Sequence, residues 1–253
     1  MKIVKPIKYA PLIVLSVFIF VFQGQAQTAD ELLQKMDNII FGAKDKQGNV
    51  KIILINSSGN EKVREATMLQ KGTDKKVYRY TQPESQAGIA TLSLPGGIMW
   101  LYMPAFGKPK KISLLAKSQA FTGTDFSYED MATTTYASRY TAKLLETSED
   151  AYVLELQPKE ENPTYSKIIV TQNKQHFYPV KMEYYDRINN KFKEATYDYI
   201  KIGKYWNAEQ VIMADLKKQH MTKIILSDVK FDQGLSDDEF TVEKLAPGKD
   251  PEE

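Results

Sequence analysis

The sequence predicts a mainly β protein: a single antiparallel meander, opened by one helix, that curls into a barrel or sandwich. Three observations predict it. Apolar and polar residues alternate with a period of two over most of the chain, the pattern of strands with one covered face. The separators between these runs are turn-rich ("NSSGN", "KGTDK", "LPGG", "TSED", "INN", "FDQG"), with no helical stretch between them. A helical stripe occurs only near the start, and a meander of some ten strands curls rather than staying flat.

The helix comes first. Thr28 and Glu31 form a capping box, in which the hydroxyl accepts from the third amide and the carboxylate reaches back to the cap. Leu32, Leu33, Met36, Ile39 and Ile40 follow at helical spacing, and Gly42 is the stop. Strands are then predicted at 50–56, 75–82, 88–94, 98–103, 140–146, 151–157, 166–172, 179–186, 194–202, 210–216 and 222–229, with a short basic strand at 108–111. In "AYVLELQ" Leu154 and Leu156 share a face opposite Glu155 and Gln157; in "YPVKMEYYD" Met182 and Tyr184 oppose Lys181 and Glu183. "IMWLYM" differs, being apolar on both faces. Such a strand is central in a covered stack or lies between a core and a second apolar space. Lys108, Lys110 and Lys111 read as the wet face of an edge strand.

The N-terminus has the composition of a secretory signal. Lys2, Lys5 and Lys8 precede the uncharged run "APLIVLSVFIFVF", with Gly24 and Ala26 as small residues before a cut after Ala26. The run is short for a membrane span, which weighs against an uncleaved anchor. No cysteine follows it, so no lipid attachment is expected there. The expected mature chain is residues 27–253, one domain, with 246–253 as a loose tail and the periplasm as its compartment. Without the three signal lysines, Lys plus Arg falls from 34 to 31 against 32 Asp plus Glu. A net charge near −1 points away from a nucleic-acid partner.

Catalytic signatures are sparse. There are two histidines and no cysteine, and no zincin, nucleophile-elbow, P-loop or dinucleotide motif. His176 and His220 read as solvated loop residues. No cofactor, metal or catalytic residue is expected. The densest stretch is "QAFTGTDFSYEDMA" at 119–132. A calcium loop needs oxygen ligands where Phe126 and Tyr128 stand. A paired-carboxylate site would use Asp125 with Glu129 or Asp130. The third reading is structural: a turn at Gly123, then a short capped helix whose acids satisfy amides while the aromatics pack inward.

That stretch also carries a family resemblance. "IMWLYMPAFGKPKKIS" followed by "SQAFTGTDFSYEDM" closely resembles the outer membrane lipoprotein-sorting proteins related to LolA: a W-x-Y-x-P strand, a basic strand, then an F-x-G-S/T-D-F-S-Y-E-D element. "YPVKMEYYD" and "GKYWNAEQVIMADLKKQHMTKIILSDVKFDQGLSDDEFT" match as well, so the resemblance spans nearly all of 28–245. It implies a LolA-like fold: an incomplete, strongly curved antiparallel barrel, with the N-terminal helix and short lid helices enclosing an apolar cavity. It implies a non-enzymatic carrier of lipoprotein or lipid acyl chains, passing cargo from an inner-membrane donor or exporter to an outer-membrane acceptor. The alternative is an envelope binding or sensing module of the same fold that docks on a membrane partner.

On this reading the cavity and lid candidates are Met36, Ile40, Met68, Trp100 and Tyr102, with Phe121, Phe126, Tyr128, Met131 and Met182. Methionine suits an adaptable wall because it is unbranched and polarizable. The lid-holding candidates are Asp125, Glu129 and Asp130. LolA latches its lid with an arginine, and Arg64 and Arg79 are the candidates here.

Overall fold

A computed structural model describes residues 27–113 and 116–246; the expected signal segment and residues 247–253 of the expected tail lie outside the described residues. Helix α1 (Ala29–Phe41) opens it. The capping box is formed, with the Glu31 amide donating to Thr28 Oγ1 and the Thr28 amide to Glu31 Oε2. Gly42 is the C-cap, its amide still donating to Asn38 O, and an added Cβ there would sit 2.2 Å from that oxygen.

Thirteen strands follow: β1 (Asp45–Ile55), β2 (Glu61–Lys71), β3 (Lys75–Gln82), β4 (Ala90–Leu94), β5 (Ile98–Tyr102), β6 (Lys110–Lys111), β7 (Tyr140–Thr147), β8 (Ala151–Pro158), β9 (Lys167–Asn173), β10 (Pro179–Tyr185), β11 (Lys191–Ile202), β12 (Tyr205–Asp215) and β13 (His220–Phe231). They form one open antiparallel sheet in the order β6-β5-β4-β3-β2-β1-β13-β12-β11-β10-β9-β8-β7. The first half winds outward from β1 to the β6 edge. The chain then crosses to the far edge, starts again at β7 and winds back to pair β13 with β1.

The crossing, residues 112–139, carries the DFSYED element and two one-turn helices, α2 (Tyr128–Met131) and α3 (Tyr136–Arg139). In a flat sheet β3 and β9 would stand roughly 34 Å apart. Yet the compact stretch from Thr122 to Asp130 bonds Tyr80 on β3 and Tyr165 just before β9. The sheet therefore curls around the crossing. One face of the sheet, α1 and the crossing share the main apolar core, which includes Leu33, Ile52, Met68, Phe121, Leu154, Met182 and Met213.

Three expectations change. β2 was not expected. "EKVREATMLQK" is rich in helix formers and buries only Ala66, Met68 and Gln70, so its alternation is faint; pairing with β1 and β3 overrides propensity. The basic strand shrinks to Lys110 and Lys111, exposed on the β6 edge. β5 is two-faced as expected but lies beside the β6 edge, away from the middle of the sheet. Met99 joins the main core, while Trp100 and Tyr102 turn outward to a second cluster of Val77, Leu92, Phe240 and Leu245. The chain after β13 covers that face and includes Ala246, the first residue of the expected tail. Asp45 steers it there by accepting from the amides of Gln233, Gly234 and Leu235.

Candidate functional site

The crossing closes one end of the curled sheet. Arg64 on β2 donates to Thr122 O at 2.6 Å, and the Tyr80 hydroxyl meets Thr122 Oγ1 at 2.5 Å. Opposite them, the buried Asp125 carboxylate accepts from Thr222 Oγ1 on β13 at 2.7 Å and lies 2.7 Å from His220 Nδ1. Lys193 on β11 donates to Asp125 O. Ser127 and Asp130 make a second capping box that starts α2, and Asp130 Oδ2 also accepts from Tyr165 OH at 2.7 Å. Glu129 pairs with Arg139 at 2.8 Å and accepts from Thr164 Oγ1. All three acids thus hold the crossing against the sheet and α3. Phe121, Phe126, Tyr128 and Met131 on the same segment are buried.

Beyond this plug an open cleft of about 160 Å³ remains between the sheet, the end of α1 and the second half of the crossing. Ile40 and Phe41 border it from α1, and Phe126, Met131, Ala132 and Tyr136 from the crossing. Met68, Met182, Val211, Ile224 and Leu226 rise from the sheet. Tyr78, Tyr184, Tyr197 and Tyr199 add rings with polar ends. Burial pushes all of these hydroxyls up, Tyr136 to about 12, so the tyrosine wall stays uncharged at neutral pH. Asp37, buried in α1, accepts from the Tyr136 and Ala137 amides at 2.8 Å each and so fixes α3 beside the cleft.

Five of the ten cavity candidates line this cleft: Ile40, Met68, Phe126, Met131 and Met182. Met36, Phe121 and Tyr128 lie within the core around it. Trp100 and Tyr102 stand on the outer face of the sheet, because the period-two alternation of β5 sends them away from Met99. Of the arginines, Arg64 holds the crossing; Arg79 points to the outer face and donates to the Lys244 and Leu245 carbonyls. His220 is not a loop residue, and His176, which does lie in the turn between β9 and β10, is half-buried against aromatic rings. His220 opens β13 beside Asp125, and His176 packs against both Tyr178 and Trp206. The tyrosines, Asp37, Lys46 and Lys76 went unnoticed as site residues. Lys46 and Lys76 lie outside the strand bounds expected, or alternate with apolar neighbours like any wet-face lysine.

A family model described as "Uncharacterized protein" matches residues 72–247. Among solved structures, a LolA superfamily protein from Nitrosomonas europaea is 30% identical, with a TM-score of 0.73 over 85% of this chain and 98% of that one. This chain belongs to the LolA superfamily. An outer membrane lipoprotein-sorting protein domain from Vibrio parahaemolyticus is similarly close to this LolA-superfamily chain, at 29% identity and a TM-score of 0.80 over 86% of this chain and 97% of that one. A DUF1329 family protein from Desulfovibrio piger, 24% identical with a TM-score of 0.80, shares the fold over 86% of this chain and 97% of its own. Comparison with curated proteins gave no match. The open 13-stranded sheet is the LolA-like half of what the DFSYED resemblance implied.

Proposed function

We propose that this protein is a periplasmic carrier that takes acyl chains of lipoproteins or lipids into the cleft and shuttles them toward the outer membrane. The carrying observation is the cleft itself: a space of about 160 Å³ walled mainly by aliphatic, methionine and uncharged tyrosine side chains. Each methylene removed from water contributes roughly 0.8 kcal/mol, so ten methylenes contribute on the order of 8 kcal/mol without any catalytic group. Helix α1 and the crossing act as the cover over the acyl chain. The sorting role that gives the Vibrio parahaemolyticus relative its name, and the signal-like N-terminus, support the compartment and the direction.

The test is titration of the purified chain with an environment-sensitive fluorescent fatty acyl probe, beside native mass spectrometry of protein taken from a periplasmic extract. Saturable probe binding is expected, weakened at least tenfold by Ile40→Asn, since a polar amide pressed against the acyl chain is desolvated without a hydrogen-bond partner from it. Ile40 is only partly buried, so that variant keeps its fold. Absence of probe uptake together with a lipid-free mass would remove the carrier reading and leave a docking module of the same fold.

A further inference from the structure

Two lysines interrupt the apolar wall. Lys46 on β1, Gln70 on β2 and Lys76 on β3 are neighbours in register, Lys46 facing Gln70 and Gln70 facing Lys76. All three share the inward face with Met68 and Tyr78 and line the cleft. They stand at the end of the sheet opposite the plug, which is bonded through Arg64, Tyr80 and Thr222 near the other ends of these strands. Among the described residues neither ammonium has a carboxylate within ion-pair distance, or a hydrogen bond. Each instead lies near an aromatic ring, Lys46 at 5.8 Å from Phe231 and Lys76 at 5.7 Å from Tyr78. By contrast, Lys71 and Lys75 on the outer face of the same strands are paired with Asp237.

We propose that Lys46 and Lys76, with Gln70 between them, are a seat for the acidic headgroup, phosphate or carboxylate, of an amphiphile whose chain lies in the cleft. This rests on the carrier reading and names the class of cargo. The other charged groups of the cleft, Asp130 and Arg139, are engaged by Tyr165 and Glu129, so two cations without a carboxylate of their own are costly unless an anion joins them. Burial pushes Lys46 down to about 8, and burial together with the charge of Lys46 pushes Lys76 down to about 7. An anion between them restores both charges and supplies the missing acceptor. Chain toward the plug and headgroup at the lysine end is the orientation that the two ends of the cleft dictate.

The test compares 11-(dansylamino)undecanoic acid with its primary amide at pH 6.5 in low salt. The acid is expected to bind roughly tenfold or more tightly than the amide, the scale of one or two charge-assisted hydrogen bonds. That gap should vanish in the Lys46→Gln/Lys76→Gln double variant and persist in Lys46→Arg/Lys76→Arg. Circular dichroism melts establish that both variants are folded. Dodecyl phosphate, dodecanoate and dodecanol are then used as competitors: preference for either acid over the alcohol supports the seat and tells phosphate from carboxylate. If acid and amide bind the wild-type chain alike, or the alcohol competes as well as the acids, the headgroup seat is overturned while the carrier reading stands. If no probe binds at all, both fall.

Discussion

Asp125 shows how one side chain decides what a motif is for. Its carboxylate is buried and meets Thr222 and His220, both on β13 and nearly a hundred positions away. A carboxylate so engaged is a rivet. Asp125→Asn should destabilise the chain by about 2 kcal/mol, because it trades charge-assisted bonds for weaker ones and leaves one partner misoriented; urea unfolding measures it. Lys76 makes a pH prediction. Its folded value, about 7, lies below the usual lysine value, so between them the unfolded chain binds more protons and stability rises with pH. The groups around it are Lys46 from β1, Gln70 from β2, Tyr78 on its own strand, and Asp130, Tyr136 and Arg139 from the crossing. Lys76→Met should therefore melt higher than the wild type at pH 7, with the difference shrinking by pH 9. A constant difference across that range would contradict the lowered value.

At the level of elements, the strands with branched or aromatic alternation were legible and the others were not. β9, with Ile168 and Val170 inward, and β10, with Met182 and Tyr184 inward, follow their pattern residue by residue. β2 was invisible because Ala66, Met68 and Gln70 form no apolar stripe strong enough to outweigh Glu, Lys and Arg around them. The two-faced β5 was seen, but not what covers it. The chain after β13 supplies that cover, with Phe240 and Leu245 buried against Val77 and Leu92. Phe240→Ala should cost roughly 3–5 kcal/mol by leaving a void in this cluster. Because the cluster lies on the face away from the cleft, acyl-probe affinity of the folded variant should stay within twofold. Calorimetry and probe titration on one preparation test both statements.

The whole molecule is an open sheet whose two edges are joined by the chain itself. The crossing leaves β6, bonds to strands on both sides of β1, and enters β7. It is held by side chains, whereas β1, β2 and β13 at the sheet centre are held by continuous ladders. Amide exchange in 116–139 and in the end of α1 should be faster than in β1 and β13, since local opening there breaks few backbone bonds. Addition of a long-chain fatty acid should slow exchange in those same segments and leave β8 unchanged. Uniform protection with or without the acid would mean that the crossing does not move as a cover.

The periodic strands, the capping box of α1 and the short helix of the DFSYED element could be read along the chain, because each depends on neighbours within four residues. The family could be read too, from one contiguous element. What could not be read is which face of β5 meets the main core, that Arg64 rather than Arg79 holds the crossing, and that Lys46 and Lys76 share a row. Those follow from register between strands and from the curl of the sheet. Register joins residues tens of positions apart, and a one-residue shift would exchange every inward side chain for its outward neighbour.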